Sequence, residues 1–251
     1  MAIKNKKFTI LTSCYNGEKY IKTWLKSVAK QKYRPLEVVF VNDASTSKMK
    51  RYINKIDNKL SKKGIEFKYI KNSHRQYCGS SYKIAVQYAT GSFFGVLDID
   101  DMLVSDAVEY IMSLYSKHEN VGYIYTQFYI CDENMKKIKR GWSRAPSPGK
   151  TLLDMGRKHY YSHWRTFSKR VDCYETVFKE KLKCAVDKYM GYKLEEIALG
   201  MFADRVCYLY RQEAAGISAR ESGKKKWERM RKQRVKKRNK NNMKIYPILL
   251  G

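Results

Sequence analysis

The chain has 251 residues, 43% hydrophobic and 30% charged, which is enough apolar content for one large α/β domain and too much for wholesale disorder. Its 52 lysines and arginines against 24 acidic residues give a formal charge of +28, well outside the range of an ordinary soluble domain and a source of attraction to polyanions. The six cysteines are widely spaced, with no Cys-x-x-Cys pair and no histidine at zinc-ligand spacing, so neither a structural zinc site nor a dense disulfide framework is indicated.

Four short apolar runs alternate with helical patterns in the first 120 residues, the signature of βαβ units and a mainly parallel sheet. Phe8 to Ser13 is the first strand. Asn16 then serves as a helix cap, and Ile21, Trp24, Leu25 and Val28 recur at helical spacing. Leu36 to Val41 is the second strand, and Ile53, Ile56 and Leu60 mark the next helix. Ile65 to Ile70 is the third strand, followed by a helix bearing Ile84, Ala85, Tyr88 and Ala89, and Phe93 to Leu97 is the fourth strand. From about Ser105 a helix presents Val108, Ile111, Met112 and Tyr115 on one face, and Val121 to Ile130 reads as one or two further strands.

Beyond that point the pattern loosens. Gly141 to Gly149 holds Pro146 and Pro148 and reads as a loop, with helices expected near Tyr174 to Leu182 and Asp187 to Met201. Residues 220–244 carry 13 lysines and arginines and two glutamates, which leaves 39 basic against 22 acidic residues, or +17, on residues 1–219. Trp227, Met230 and Val235 share an arc there, so this basic C-terminal tail is either a solvated segment or an interfacial helix. The basic start, Met1 to Lys7, leads into a strand rather than a signal-peptide apolar stretch, and no run approaches a membrane span. A cytoplasmic location follows as the expectation, with the protein either free or peripheral at the inner face of the membrane.

Open parallel sheets bind ligands at the carboxyl ends of their strands. There the sequence places Ser13-Cys14-Tyr15-Asn16-Gly17-Glu18, Asn42-Asp43-Ala44-Ser45-Thr46 and Asp98-Ile99-Asp100-Asp101. Two carboxylates at i and i+2 beyond a strand can both face Mg²⁺ or Mn²⁺, which keeps coordination positions for diphosphate oxygens. Three acids in four residues that only ended a strand and capped a helix would repel one another without a cation. Asp98 and Asp100 are therefore the expected metal ligands.

These segments resemble the inverting, GT-A fold family 2 glycosyltransferases. "TILTSCYNGEKYI" from Thr9 is similar to the first-strand motif of that family, "VVFVNDAST" to its second, and "GSFFGVLDIDDML" from Gly91 to its metal-site motif. "SHWRTFSK" from Ser162 and "LYRQEAAGIS" from Leu209 resemble its C-terminal half, so the likeness spans roughly residues 7–218. The resemblance implies a GT-A α/β domain over residues 1–219, with a nucleotide-sugar-binding half at 1–103 and an acceptor-binding half at 104–219, followed by the basic tail at 220–251. It implies that Ser13, Tyr15 and Asp43 hold the base and ribose of a UDP-sugar, Asp43 accepting from a uracil N–H. Asp98 and Asp100 match the pair that serves metal and ribose, and Glu18 fits the first motif, where it could equally serve the helix dipole.

An inverting transfer needs a carboxylate to take the acceptor hydroxyl proton. Asp187 lies where the family usually opens a helix with a Glu-Asp pair, here Val186-Asp187, with Glu195 and Glu196 as nearby alternatives expected to be solvated. An Arg-Asn pair usual in the family is Tyr82-Lys83 here, so diphosphate neutralisation falls to Lys83 or Arg75. Arg211 matches its motif, whereas the usual histidine is Glu213. His163 either points into the site or is structural, and Trp164 either stacks on an acceptor sugar or fills the core.

The implied reaction moves a sugar from a nucleotide-sugar donor to a hydroxyl of a glycan or lipid-linked acceptor, with the basic tail available for contact with an anionic membrane. Two alternatives stand beside it. A GT-A-like domain without activity would serve as a binding module, a reading kept open by Tyr82-Lys83. A nucleic-acid-binding protein would use the positive charge and 21 tyrosines, but its acidic strand ends would repel phosphates, so no nucleic-acid partner is expected.

Overall fold

The computed structural model describes residues 5–45, 49–155, 161–172, 174–213, 221–241 and 245–251. Strands β1 (Phe8–Cys14), β2 (Leu36–Asn42), β3 (Ile65–Lys71) and β4 (Phe93–Val96) alternate with helices α1 (Ile21–Ala29), α2 (Lys50–Ser61) and α3 (Tyr77–Tyr88). Every residue of β2 and all but one of β1 are buried, as apolar runs covered by helices on both faces require. The rest comprises β5 (Met102–Leu103), α4 (Ala107–Lys117), β6 (Tyr123–Cys131), β7 (Lys137–Arg140), β8 (Arg165–Ser168), α5 (Val186–Ile197), β9 (Gly200–Arg211), α6 (Glu221–Asn241) and β10 (Ile248–Leu250).

One ten-stranded sheet runs in the order β10-β9-β6-β8-β4-β1-β2-β3, with β5 on β9 and β7 on β6. The pairs β3-β2, β2-β1 and β1-β4 are parallel, as are β6-β9 and β9-β10. β8 is antiparallel to both β4 and β6, so β6 runs in the same sense as β4. The carboxyl ends of β1, β2, β4, β6 and β9 therefore share one edge of the sheet. The direction of strand order reverses at β1, with β2 on one side and β4 on the other, which is the topological switch where open α/β sheets hold ligands. Helices α1, α2 and α4 cover one face with a core including Trp24, Phe40, Ile111 and Tyr115. α3 and α5 cover the other, over Tyr82, Phe167, Phe178 and Leu194.

Several details differ from the sequence expectation. Asn16 is not the cap: it adopts φ 50°, and a short 3₁₀ turn, Glu18–Tyr20, precedes α1. The buried face of α3 centres on Tyr82, Ala85 and Val86, and Tyr88 is exposed, because Tyr82 stacks on Phe178 with centroids 5.3 Å apart. The helix expected from Tyr174 to Leu182 is only a 3₁₀ turn, Tyr174–Val177, and α5 stops at Ile197, after which the chain becomes β9. Within the basic C-terminal stretch, Met230 and Val235 of α6 pack against the second core cluster, whereas the Trp227 side chain lies outside the described residues. Arg231 donates to the Leu153 carbonyl (2.9 Å), Arg238 pairs with Asp154 (2.7 Å), and Arg234 pairs with Glu196. β10 then adds to β9 in parallel. No helix of the described residues is long and apolar enough to cross a membrane.

Candidate active site

On the β1-β2 side, the two loops after the strands are tied together: the Asp43 N–H donates to the Cys14 carbonyl (2.8 Å), and the Asn16 N–H to Ser45 Oγ (2.9 Å). Asp43 is buried. Its Oδ1 accepts from Asn72 Nδ2 (2.8 Å) and the Gln76 N–H (2.7 Å), and its Oδ2 accepts from the Tyr77 N–H (2.8 Å). It thus satisfies free donors at the start of α3. Three of about four lone-pair directions are used, which leaves one for an incoming N–H. Tyr15 is not in the core but 43% exposed, and the Arg75 guanidinium lies 3.8 Å from its ring centroid. Ser13 is half-buried at the end of β1 beside Val41. Glu18 sits in the 3₁₀ turn with Oε1 buried and no hydrogen-bond partner among the described residues.

The β4 end carries the acids. Gly17 has no room for a side chain: a Cβ there would lie 2.9 Å from both Cys14 Sγ and Ile99 Cγ2. That close approach packs the β1 loop against the middle of Asp98-Ile99-Asp100. Asp98 Oδ1 accepts a short hydrogen bond from the Tyr82 hydroxyl, and Oδ2 accepts from Arg165 Nη2 at 2.7 Å. Burial pushes the Asp98 carboxyl up, but Arg165, then His163 and Tyr82, outweigh it and hold it below its ordinary range. Burial, then the Asp98 charge, raise Asp100 to about 6. Asp101 latches β9: it accepts from Tyr208 Oη and the Arg211 N–H, both at 2.7 Å. Arg211 also donates through Nε to the Asp100 carbonyl (2.7 Å).

His163 stacks on Tyr208 with centroids 4.5 Å apart, and it groups with Asp98 and Asp101 so that one ligand-capable atom of each lies within 4.8 Å of the others. Asp187, in the first turn of α5, is close enough to favour the charged form of Arg165. Asp98 and Arg165 are paired directly, and Asp98, then Tyr208 and Asp187, favour the charged form of that guanidinium against its burial. Lys83 pairs with Glu180, and Glu213 is engaged by the Tyr20 hydroxyl (2.8 Å) and Lys19. Trp164 is fully buried, donating from Nε1 to the Val96 carbonyl (2.9 Å), so it fills the core and offers no face to a sugar. Glu195 is not solvated: it is buried and accepts from the Leu152 N–H (2.7 Å) and the Leu153 N–H (3.0 Å), while Glu196 binds Arg234. Arg165, Tyr82 and Tyr208 escaped sequence reading. Their signal in the sequence was only position, at "WRTF", beside Lys83, and ahead of Arg211.

Residues 9–175, more than half of the chain, match the family described as Glycosyl transferase family 2. The chondroitin synthase of Escherichia coli is 28% identical over 200 residues, which are 80% of this chain and 28% of that protein. The poly(ribitol-phosphate) beta-N-acetylglucosaminyltransferase TarS of Staphylococcus aureus strain MW2 is 27% identical over 210 residues, 80% of this chain and 35% of TarS. The matched segment thus spans about a third or less of the length of these two curated relatives. A crystal structure of S. aureus TarS 1-349 in complex with UDP-GlcNAc superposes with a TM-score of 0.66 at 22% identity, covering 84% of this chain and 60% of that one. The mannosyltransferase PcManGT of Pyrobaculum calidifontis, in complex with GDP-Man and Mn2+, gives 0.61 at 15% identity over 86% and 59%. The curled sheet with its flanking helices is the GT-A fold, and the chain belongs to glycosyl transferase family 2.

Proposed function

We propose that the chain transfers a sugar, with inversion, from a uridine diphosphate-linked donor to a hydroxyl of a glycan or lipid-linked acceptor. The observation that carries this reading is the acidic cluster Asp98 to Asp101 at the β1-β4 switch, flanked by an exposed Tyr15 and a buried Asp43 with one acceptor position to spare. The uridine donor is supported by the UDP-GlcNAc bound to TarS in its crystal structure. Tyr15 offers a face for the base once Arg75 swings aside, Asp43 accepts from the base N–H, and Ser13 and Glu18 border the ribose. Arg165 and Tyr82 fix the Asp98 carboxylate. Asp187, in the first turn of α5, takes the proton of the acceptor hydroxyl.

The donor set fits a hard divalent cation. Like charges crowd at Asp98, Asp100 and Asp101, and the raised Asp100 carboxyl reflects burial together with its charged neighbour. Asp98 and Asp100 would hold Mn²⁺ or Mg²⁺, which when bound would neutralise the charge that develops on the leaving diphosphate. Isothermal titration of UDP into the protein, with and without Mn²⁺, tests the donor site. Binding should require the metal and disappear in the double variant Asp98→Ala, Asp100→Ala. Absence of binding to UDP, GDP and dTDP alike would sink the transferase reading.

A further inference from the structure

A diphosphate carries negative charge that the protein must meet with cations, and several basic side chains near the acidic cluster already hold polar partners. Arg165 pairs with Asp98, Lys83 with Glu180 and Lys19 with Glu213. Arg211 donates to the Asp100 carbonyl (2.7 Å), the Glu133 carbonyl and Thr23 Oγ1 (3.2 Å). Arg75 differs from all of these. It is exposed, and its guanidinium lies 3.8 Å from the Tyr15 ring centroid and 4.9 Å from that of Tyr77. An arginine has five N–H donors in a planar fork, and among the described residues none of those of Arg75 meets an acceptor.

The place of this arginine is set by its neighbours. It directly precedes Gln76 and Tyr77, whose N–H groups bind the Asp43 carboxylate at 2.7 and 2.8 Å. Tyr77 adopts φ 65°, an uncommon conformation for a bulky residue, and its bond to Asp43 holds that turn. Asp43 is tied in turn to the β1 loop through its N–H to the Cys14 carbonyl (2.8 Å). Tyr15, Asp43 and the start of α3 therefore form one bonded frame, and within it the guanidinium covers the Tyr15 ring. A uracil that stacks on Tyr15 and donates to Asp43 competes for that position. Further along α3, Tyr82 binds Asp98, five residues beyond Tyr77 and so about 7.5 Å along the helix axis. A nucleotide with its base at Tyr15 and its diphosphate at the acids spans this same stretch, at whose base end Arg75 stands.

Resting on the uridine-donor reading above, we infer that Arg75 is a diphosphate-binding residue that covers Tyr15 in the free protein: the base takes its place on the ring, and the guanidinium turns to the phosphate oxygens. An exposed cation over a ring is held more weakly than an arginine paired with phosphate, so the exchange is favourable for a nucleotide. Uridine must displace the same cation and offers it no anion. Arg75 thus distinguishes the nucleoside diphosphate from the nucleoside. Titration of the full chain with uridine and with UDP, both in the presence of Mn²⁺, tests this. Arg75→Ala should bind UDP about tenfold more weakly than the unaltered chain and uridine no more weakly. Arg75→Lys should recover part of the UDP affinity, since the charge remains and the planar fork is lost. Equal losses for the two ligands would make Arg75 a wall of the base slot, and an unchanged UDP affinity would leave it on Tyr15; either result overturns the inference. An unaltered chain that binds neither ligand overturns the uridine-donor reading and this inference with it, and that outcome is told apart because it appears before any substitution is made.

Discussion

Asp98 is gripped from two sides by residues far away in sequence, Tyr82 on α3 and Arg165 at the start of β8. Arg165 is itself buried, with its side chain 6% exposed against 30% for Asp98. Removing one member of such a pair strands the other charge, at a cost of about 3 kcal/mol, the lower end of the usual range because Asp98 keeps some solvent. Arg165→Met should therefore lower stability by about that amount in urea denaturation. Asp98→Asn combined with Arg165→Met should recover most of the loss while leaving sugar transfer abolished. Additive losses in the double variant would show that the two side chains do not act as a pair. The acids themselves could be read from the sequence, since three carboxylates after an apolar run are unusual on charge grounds alone. Their partners could not, because nothing in "WRTF" or in Tyr82-Lys83 says that a fold will bring them to Asp98. Trp164 and Glu195 show the same limit: a residue type names what a side chain can do, and only packing decides whether it meets solvent.

Among the elements, the βαβ half followed from periodicity because each of its strands is a run of buried residues bounded by polar turns. β8 and β9 gave weaker signals. β8 is four residues long and begins with an arginine, and β9 breaks its burial at Asp204 and Arg205, so neither shows a clean apolar run. α6 gave almost none, since its docking relies on arginine pairs to Leu153, Glu196 and Asp154 with two apolar contacts. The junction between the two halves rests on β4 against β8, and there Gly95 matters. A Cβ at Gly95 would lie 2.5 Å from Trp164 Cζ2 and 2.8 Å from Phe8 Cζ, both in fully buried rings. Neither ring has space to retreat, and overpacking of this kind costs about 1–3 kcal/mol. Gly95→Ala should therefore lower the midpoint of thermal unfolding by several degrees, whereas Gly149→Ala, which meets no atom within 4 Å, pays only for its left-handed backbone. Equal midpoints for Gly95→Ala and the unaltered chain would show that the β4-β8 junction relaxes freely.

For the molecule as a whole, the formal charge of +28 directs attention to basic residues, yet one buried glutamate is bonded to two other segments of the chain. Glu195 on α5 holds the turn at Leu152 and Leu153, its own carbonyl accepts from the Tyr246 N–H (2.9 Å), and the Arg238-Asp154 pair lies beside it. It thus links α5, the segment after the Pro-containing loop, and the C-terminal α6-β10 unit. Burial raises its carboxyl from the ordinary 4.5 to about 8, against the pull of its two N–H donors. Below pH 4.5 the group is protonated both folded and unfolded and contributes no pH dependence. Between 4.5 and about 8 the unfolded chain releases the proton while the folded chain keeps it, so stability falls as pH rises, and above about 8 the loss is complete. The size is on the order of a few kcal/mol. Glu195→Gln removes this titration and leaves every other group in place, Asp100 included, so the difference between the two proteins isolates it. Denaturation in urea at pH 5, 6.5 and 8 should give stabilities that converge as pH rises if the unaltered chain is the more stable at pH 5. Curves that stay parallel would mean that Glu195 is ionised in the fold at all three values, held by the Leu152 and Leu153 N–H groups rather than neutralised by burial.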